Sequence, residues 1–288
     1  MERVDHLAIG GLHIALHSDE RISCRYQGAT QRFLTQSPEA CDIRLRVRPM
    51  AESEPRDGEL VFDSGAVWRL FRQTSGFRIE CSSEIFGDEP YKIAHIDDSF
   101  SRGEIAIRTA AIGTEVDPLE YPLDEVLVAH LLGRGGGVEL HGAGLVLPDG
   151  RGRLFVGQSG AGKSTTARLW DARNAAVLSD DRIIIRERDG AMRMYGSPWH
   201  GEAMLSSPGS APVTGIYLLT QAKRTEIVAL KTAEAVARLF ACSFPPFHDA
   251  SALEFTLGFL ETLVGKVPVR ELKFTPDVSA VEAVEVLS

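Results

Sequence analysis

Eight consecutive residues, Gly157, Gln158, Ser159, Gly160, Ala161, Gly162, Lys163 and Ser164, fill every position of the pattern G-x-x-x-x-G-K-[S/T]. Each residue type has a chemical reason to be there. Glycines let the backbone curl until successive N–H groups point inward at phosphate oxygens. A helix starting at Lys163, with Thr165 in its first turn, aims its unpaired N–H groups and positive dipole end at the same anion. The Lys163 ammonium can reach the β and γ oxygens, and the Ser164 hydroxyl can ligate Mg²⁺. The apolar run Leu154, Phe155, Val156 supplies the strand that should precede such a loop. The stretch therefore reads as a site for a nucleoside triphosphate with magnesium.

A second acidic element follows closely. Asp181 stands eighteen positions after Lys163, with Asp180 beside it, which leaves room for one helix and one return strand. Two carboxylates beside a triphosphate can divide the work: one holds Mg²⁺, directly or through water, and the other accepts the proton of an attacking hydroxyl. Both cannot be free bases, because neighbouring negative charges and the metal split their titration. Residue types alone do not say which aspartate does which, and an Asx-type turn is the plain structural alternative. No N-K-x-D guanine-reading motif and no L-S-G-G-Q transporter signature occurs, so switch GTPases and transporter ATPases are disfavoured.

These residues need elements to position them. Residues 138–156 read as two strands joined by Pro148, Asp149 and Gly150, which places His141 on the strand beside the loop. A helix should follow the loop, and AVLSDDRIIIRER reads as a strand interrupted or edged by the two aspartates. GIYLLT, TEIVALK and PVRELKF read as further strands. AEAVARLFACSF reads as a helix running up to Pro245, and ASALEFTLGFLETLVGK as another. Trp199, His200 and Glu202 lie in a Gly/Pro-rich turn that can line an acceptor site. Lys223 and Arg224, between two expected strands, are further candidates to neutralise transferring phosphate.

The first part of the chain differs. Leu12, Ile14 and Leu16 alternate with His13, Ala15 and His17, and Ile43, Leu45 and Val47 alternate with Arg44, Arg46 and Arg48. The arginine stripe reads as a solvated sheet face, with an anion-binding stripe as the alternative. VWRLFRQTSGFRIE reads as a hairpin, and residues 50–59 as a polar loop. A helix beginning near Pro122 carries Asp124 and Glu125 in its first turn, and Gly133 and Gly137 bracket its end. The boundary falls near residue 120, giving a β-rich domain over 1–120 and a catalytic α/β domain over 121–288.

Composition narrows the class. The chain has 288 residues, 44% hydrophobic and 25% charged, with a net charge of −9, so broad nucleic-acid binding is disfavoured. Its apolar runs are too short to cross a bilayer, and the charged N-terminus lacks a signal-peptide core, so no membrane partner and a cytoplasmic location are expected. Four cysteines, Cys24, Cys41, Cys81 and Cys242, are scattered with no CxxC pair, the pattern of free thiols.

Taken together, HGAGLVL, LFVGQSGAGKSTTARLW and AVLSDDRIII resemble the catalytic domain of the HPr kinase/phosphorylase family. ATP-dependent phosphoenolpyruvate carboxykinase shares that core, with a similar loop and Asp-Asp pair. The resemblance covers residues 135–275 and is most specific from His141 to Asp181. It implies an HPr-kinase-like P-loop domain using ATP and Mg²⁺, with Asp181 as proton acceptor and Lys163 and His141 as active-site groups. Ser164 and Asp180 would serve the metal, and Glu202 stands nearest to the family's metal-binding glutamate. YGSPWHGE and PVRELKFTPD look typical of a divergent branch, some members of which resemble lasso-peptide tailoring kinases that phosphorylate a peptide serine. The implied activity is transfer of the γ-phosphoryl group of ATP to a hydroxyl, a serine of a protein or peptide, in a protein that self-associates as a homo-oligomer. A small-molecule kinase with the same site, and an ATP-binding sensor or scaffold without turnover, are the alternatives. The first 120 residues do not resemble the regulatory domain of the carrier-protein kinase.

Overall fold

A computed structural model describes residues 3–36, 40–50 and 54–286. The chain is mixed α/β with two large sheets, and it divides into two compact units, whose bodies are Leu12–Leu131 and the residues from Leu132 onward. Among the described residues no helix is long and apolar enough to cross a membrane.

The first unit is built on a nine-stranded sheet. From edge to edge its strands are Leu34–Thr35, Arg3–Ile9, Leu12–Ser18, Ile43–Met50, Arg102–Arg108, Lys92–Ile96, Phe77–Cys81, Trp68–Arg72 and Glu59–Asp63. The period of two in Ile43–Met50 has its expected result: Ile43, Leu45 and Val47 are fully buried, while Arg44 and Arg46 are exposed. Arg48 is half-buried between Glu54 and Glu104, so that end of the stripe is ion-paired. The hairpin expected from VWRLFRQTSGFRIE is Trp68–Arg72 paired with Phe77–Cys81. Of the polar loop 50–59, residues 51–53 lie outside the described residues. The helix Leu123–Leu131 buries Leu123, Val126, Leu127 and His130 at helical spacing, and Asp124 and Val128 beside them, so burial extends beyond a single stripe. Cys24, Cys81 and Cys242 are buried and Cys41 is half-buried, all as free thiols.

The second unit is organised by two long strands, Val138–Val146 and Ser210–Gln221. Strand Gly152–Val156 lies between them, antiparallel to the first and parallel to the second. Beyond Ser210–Gln221 the sheet continues with Val269–Phe274, parallel, and Glu226–Ala229 at the edge. On the other side Arg182–Arg188 pairs with the first half of Val138–Val146, then with Ala191–Tyr195, which pairs with the start of Ser210–Gln221. Ala176–Ser179 takes the second half of Val138–Val146. Asp180 and Asp181 thus sit at the break between two short strands bound to different halves of one long strand.

Gly152–Val156 is buried on both faces, which explains its uninterrupted apolar run. Leu154 and Val156 join Ile183, Met194, Ile216 and Leu218 in one core, under the helices Thr232–Phe240 and Ala250–Lys266. Phe155 joins Trp170, Tyr217, Leu272 and Phe274 on the opposite face. That face is covered by the helices Lys163–Asp171 and Val278–Glu285. The sequence reading did not include the last of these; its start is marked by Asp277, whose carboxylate accepts from Ser279 N–H at 2.9 Å.

The helix read as running to Phe244 ends instead at Phe240. Its expected last turn is claimed by the sheet. His141 N–H donates to Cys242 O at 2.7 Å, Phe244 N–H donates to Glu139 O at 3.2 Å, and Ser243 bridges Leu140. Backbone pairing with a buried strand outweighs the local helical pattern.

Candidate active site

The glycine loop leaves strand Gly152–Val156 and closes onto the helix Lys163–Asp171. Its entry is tied to the neighbouring strand, because Gly157 N–H donates to His141 O at 3.2 Å. Gly162 has φ +104°, and a Cβ there would come within 2.5 Å of the Phe274 ring, so both backbone and space require glycine. Lys163, 6% exposed, folds back so that Nζ donates to Gln158 O at 3.1 Å. Burial pushes its ammonium below the ordinary lysine range, and the negative charge of Asp181 opposes that shift. The Gln221 amide donates to Gly160 O at 2.7 Å and holds the loop's tip.

The two aspartates have opposite surroundings. Asp180 is fully buried, and its carboxylate accepts from three backbone N–H groups: Gly201 at 2.9 Å, Ala203 at 2.9 Å and Leu205 at 3.3 Å. It anchors the loop that carries His200 and Glu202. Asp181 is partly open. Burial raises its pKa, but the His141 hydrogen bond and the charges of Arg182, His141 and Lys163 outweigh that and hold it below the ordinary aspartate range. An ionised carboxylate only accepts, so His141 Nε2–H is the donor to Asp181 Oδ1, at 3.0 Å. Ser179 fixes the turn: its Oγ accepts from Asp181 N–H and Arg182 N–H, both at 3.1 Å, and donates to Trp199 O at 2.7 Å.

A cleft of about 260 Å³ brings His141, Lys163, Ser164, Asp181, Glu202 and Gln221 together. Ser159, Gly160, Gly162 and Thr165 complete the loop's side of it. Gly157, Gln158 and Ala161 line a neighbouring cavity of about 380 Å³ instead, with Arg238 and Cys242. Lys223 and Arg224 line neither. The sequence reading missed Gln221, Arg182 and Phe244. Arg182 adjoins the aspartates and was open to notice; nothing local marks the other two.

The residues fit a magnesium ion accompanied by phosphate. Gly201 provides a cradle: a Cβ there would lie 2.8 Å from Asp180 Oδ2 and 3.1 Å from Ser164 Oγ, so a carboxylate and a hydroxyl converge on the space a side chain would fill. Such hard oxygen donors suit Mg²⁺. Among the described residues no three His, Cys, Asp or Glu side chains converge to hold a metal by themselves. Magnesium bound to nucleotide commonly relies on one or two protein oxygens, phosphates and water.

Comparisons with known proteins give a family match and matches among solved structures. A family described as "SynChlorMet cassette protein ScmC" matches residues 125–250. Among solved structures, the HPr(Ser) kinase/phosphatase from Coxiella burnetii is similar at 14% identity and a TM-score of 0.30, over 52% of this chain and 92% of that one. No curated protein matches the chain.

Proposed function

We propose that the second unit is a kinase that uses ATP and Mg²⁺ and transfers the γ-phosphoryl group to a hydroxyl, with the serine of a protein or peptide as the acceptor class. One observation carries this reading: the Asp181–His141 pair opens onto the same cleft as Lys163 and Ser164 of the glycine loop. The loop amides and Lys163 would hold the triphosphate, with Ser164 and Glu202 on the magnesium side. Asp180, its carboxylate fixed by three backbone donors, would keep a lone pair of Oδ2 for the magnesium side beside Ser164 Oγ. Bound magnesium would neutralise phosphate charge.

The acceptor oxygen forms its bond to the γ phosphorus as the bond to the β–γ bridging oxygen breaks, and the hydroxyl proton passes to the Asp181 carboxylate. His141 keeps that carboxylate oriented through Oδ1. Lys163 and Arg182 keep it ionised before substrate arrives, and the negative charge of the phosphates raises its basicity when they arrive.

Asp181→Asn tests the assignment. With γ-labelled ATP, transfer should fall by about 10³-fold, while ATP affinity stays close to that of the unaltered chain. Retained turnover overturns the role of Asp181. Label appearing on a polypeptide supports the acceptor class, and label confined to a metabolite replaces it with a small-molecule kinase. Tight ATP binding with no labelled product would favour a nucleotide sensor instead.

A further inference from the structure

Arg182 takes no part in the phosphate-facing wall of the cleft, yet its guanidinium is held on three sides. Nε lies 3.4 Å from Asp181 Oδ2 and 3.5 Å from Glu139 Oε1, and the guanidinium carbon stacks 3.6 Å from the centre of the Phe244 ring. Strand register sets up this arrangement. His141 and Arg182 are direct partners on antiparallel strands, and Glu139 stands two residues before His141 on the same face. Phe244 is pinned by its backbone donation to Glu139 O, and its ring meets the edge of the His141 imidazole at 5.9 Å.

We infer that Arg182, clamped against Phe244, is a positioning residue that sets the rotation of the Asp181 carboxylate for proton transfer. The inference rests on the reading of Asp181 as the base. The carboxylate is hydrogen-bonded through Oδ1 to His141 and lies within ion-pair range of Arg182 through Oδ2, so rotation about its Cβ–Cγ bond would break the hydrogen bond and move Oδ2 away from the guanidinium charge. Its remaining lone pairs then keep a fixed direction toward the cleft. Arginine suits this post in a way lysine does not: a planar guanidinium can stack flat on a ring while its delocalised charge stays near two carboxylates at once. Arg182 acts through Asp181, so its loss should be felt in turnover and not in nucleotide binding.

The test uses the full chain with Mg·ATP, following ADP release with water as acceptor alongside direct ATP binding. Arg182→Met should lower kcat by about 100-fold, the scale of a small misplacement of a catalytic group, with the Kd for ATP changed by less than about threefold. Arg182→Lys should recover part of the rate, and Phe244→Leu should lower it by about tenfold. Wild-type turnover in Arg182→Met overturns the inference. So does a parallel loss of ATP affinity and turnover, which marks a residue that only supports packing. If Arg182→Met does not fold, Arg182→Lys and Phe244→Leu decide by the same split. The ¹⁵N resonance of His141 Nε2 reports the grip without turnover: it should move in Arg182→Met, and an unmoved signal counts against the clamp. Asp181→Asn separates the two readings. If it turns over ATP normally, the base assignment falls and takes this inference with it; if it is inactive while Arg182→Met is unimpaired, this inference alone falls.

Discussion

In the first unit, Arg78 and Glu80 are each 1% exposed and bond to one another at 2.9 Å; in the second, Lys163 and Asp181 are drawn partly out of water beside a cleft. The first pair is closed by further partners. Arg56 donates to the Glu80 carboxylate at 2.8 Å, and Arg78 donates to Pro55 O at 3.1 Å and Glu54 O at 3.0 Å. The buried pair thus finds its partners within the chain itself. In the second unit the charges are also partnered, but they line space a ligand can fill. Buried charge that closes on itself fastens a loop to a sheet, whereas buried charge facing a cavity is poised for chemistry.

The comparison breaks if the two kinds of charge respond alike to removal. The largest stability effect should come from Glu80→Gln, which leaves Arg78 buried without its carboxylate. About 3 kcal/mol of stability should be lost, seen as a lower urea midpoint for the full chain, with ATP affinity unchanged. Lys163→Met should do the reverse. ATP affinity should fall by at least about tenfold, corresponding to roughly 1.4 kcal/mol, by titration calorimetry, while the urea midpoint holds or rises as a desolvated ammonium is removed. The smallest effect tests the metal side proposed for the cleft. Gly201→Ala crowds Asp180 Oδ2 and Ser164 Oγ, so the Mg²⁺ concentration for half-maximal ADP release should rise by about threefold to tenfold. An unchanged magnesium dependence would remove the Gly201 cradle from the proposed metal site.

Much of this was legible in the residues. The alternation in Ile43–Met50 and the buried run Leu154, Phe155, Val156 follow from side-chain periodicity, because the faces of a strand repeat every two residues. The glycine loop was visible because its chemistry needs particular residue types at fixed local spacing. The break of a strand at Asp180 and Asp181 was legible too, since two adjacent carboxylates do not continue a buried strand. What escaped was non-local. Phe244 belongs to a segment that reads as helix and is pulled straight by Glu139 and His141, residues about a hundred positions away. Gln221 reaches Gly160 across 61 positions.

The sequence by itself determined that a glycine-rich loop should stand between a strand and a helix, followed at short range by a carboxylate pair. Covalent neighbours and their intrinsic preferences are enough for that. Only the tertiary structure decided which carboxylate is sealed by backbone donors and which meets His141 and faces the cleft. That choice depends on the register between strands that bring residues 40 positions apart into hydrogen-bond contact. Register is set by the packing of whole faces against a core, and no short stretch of residues carries it.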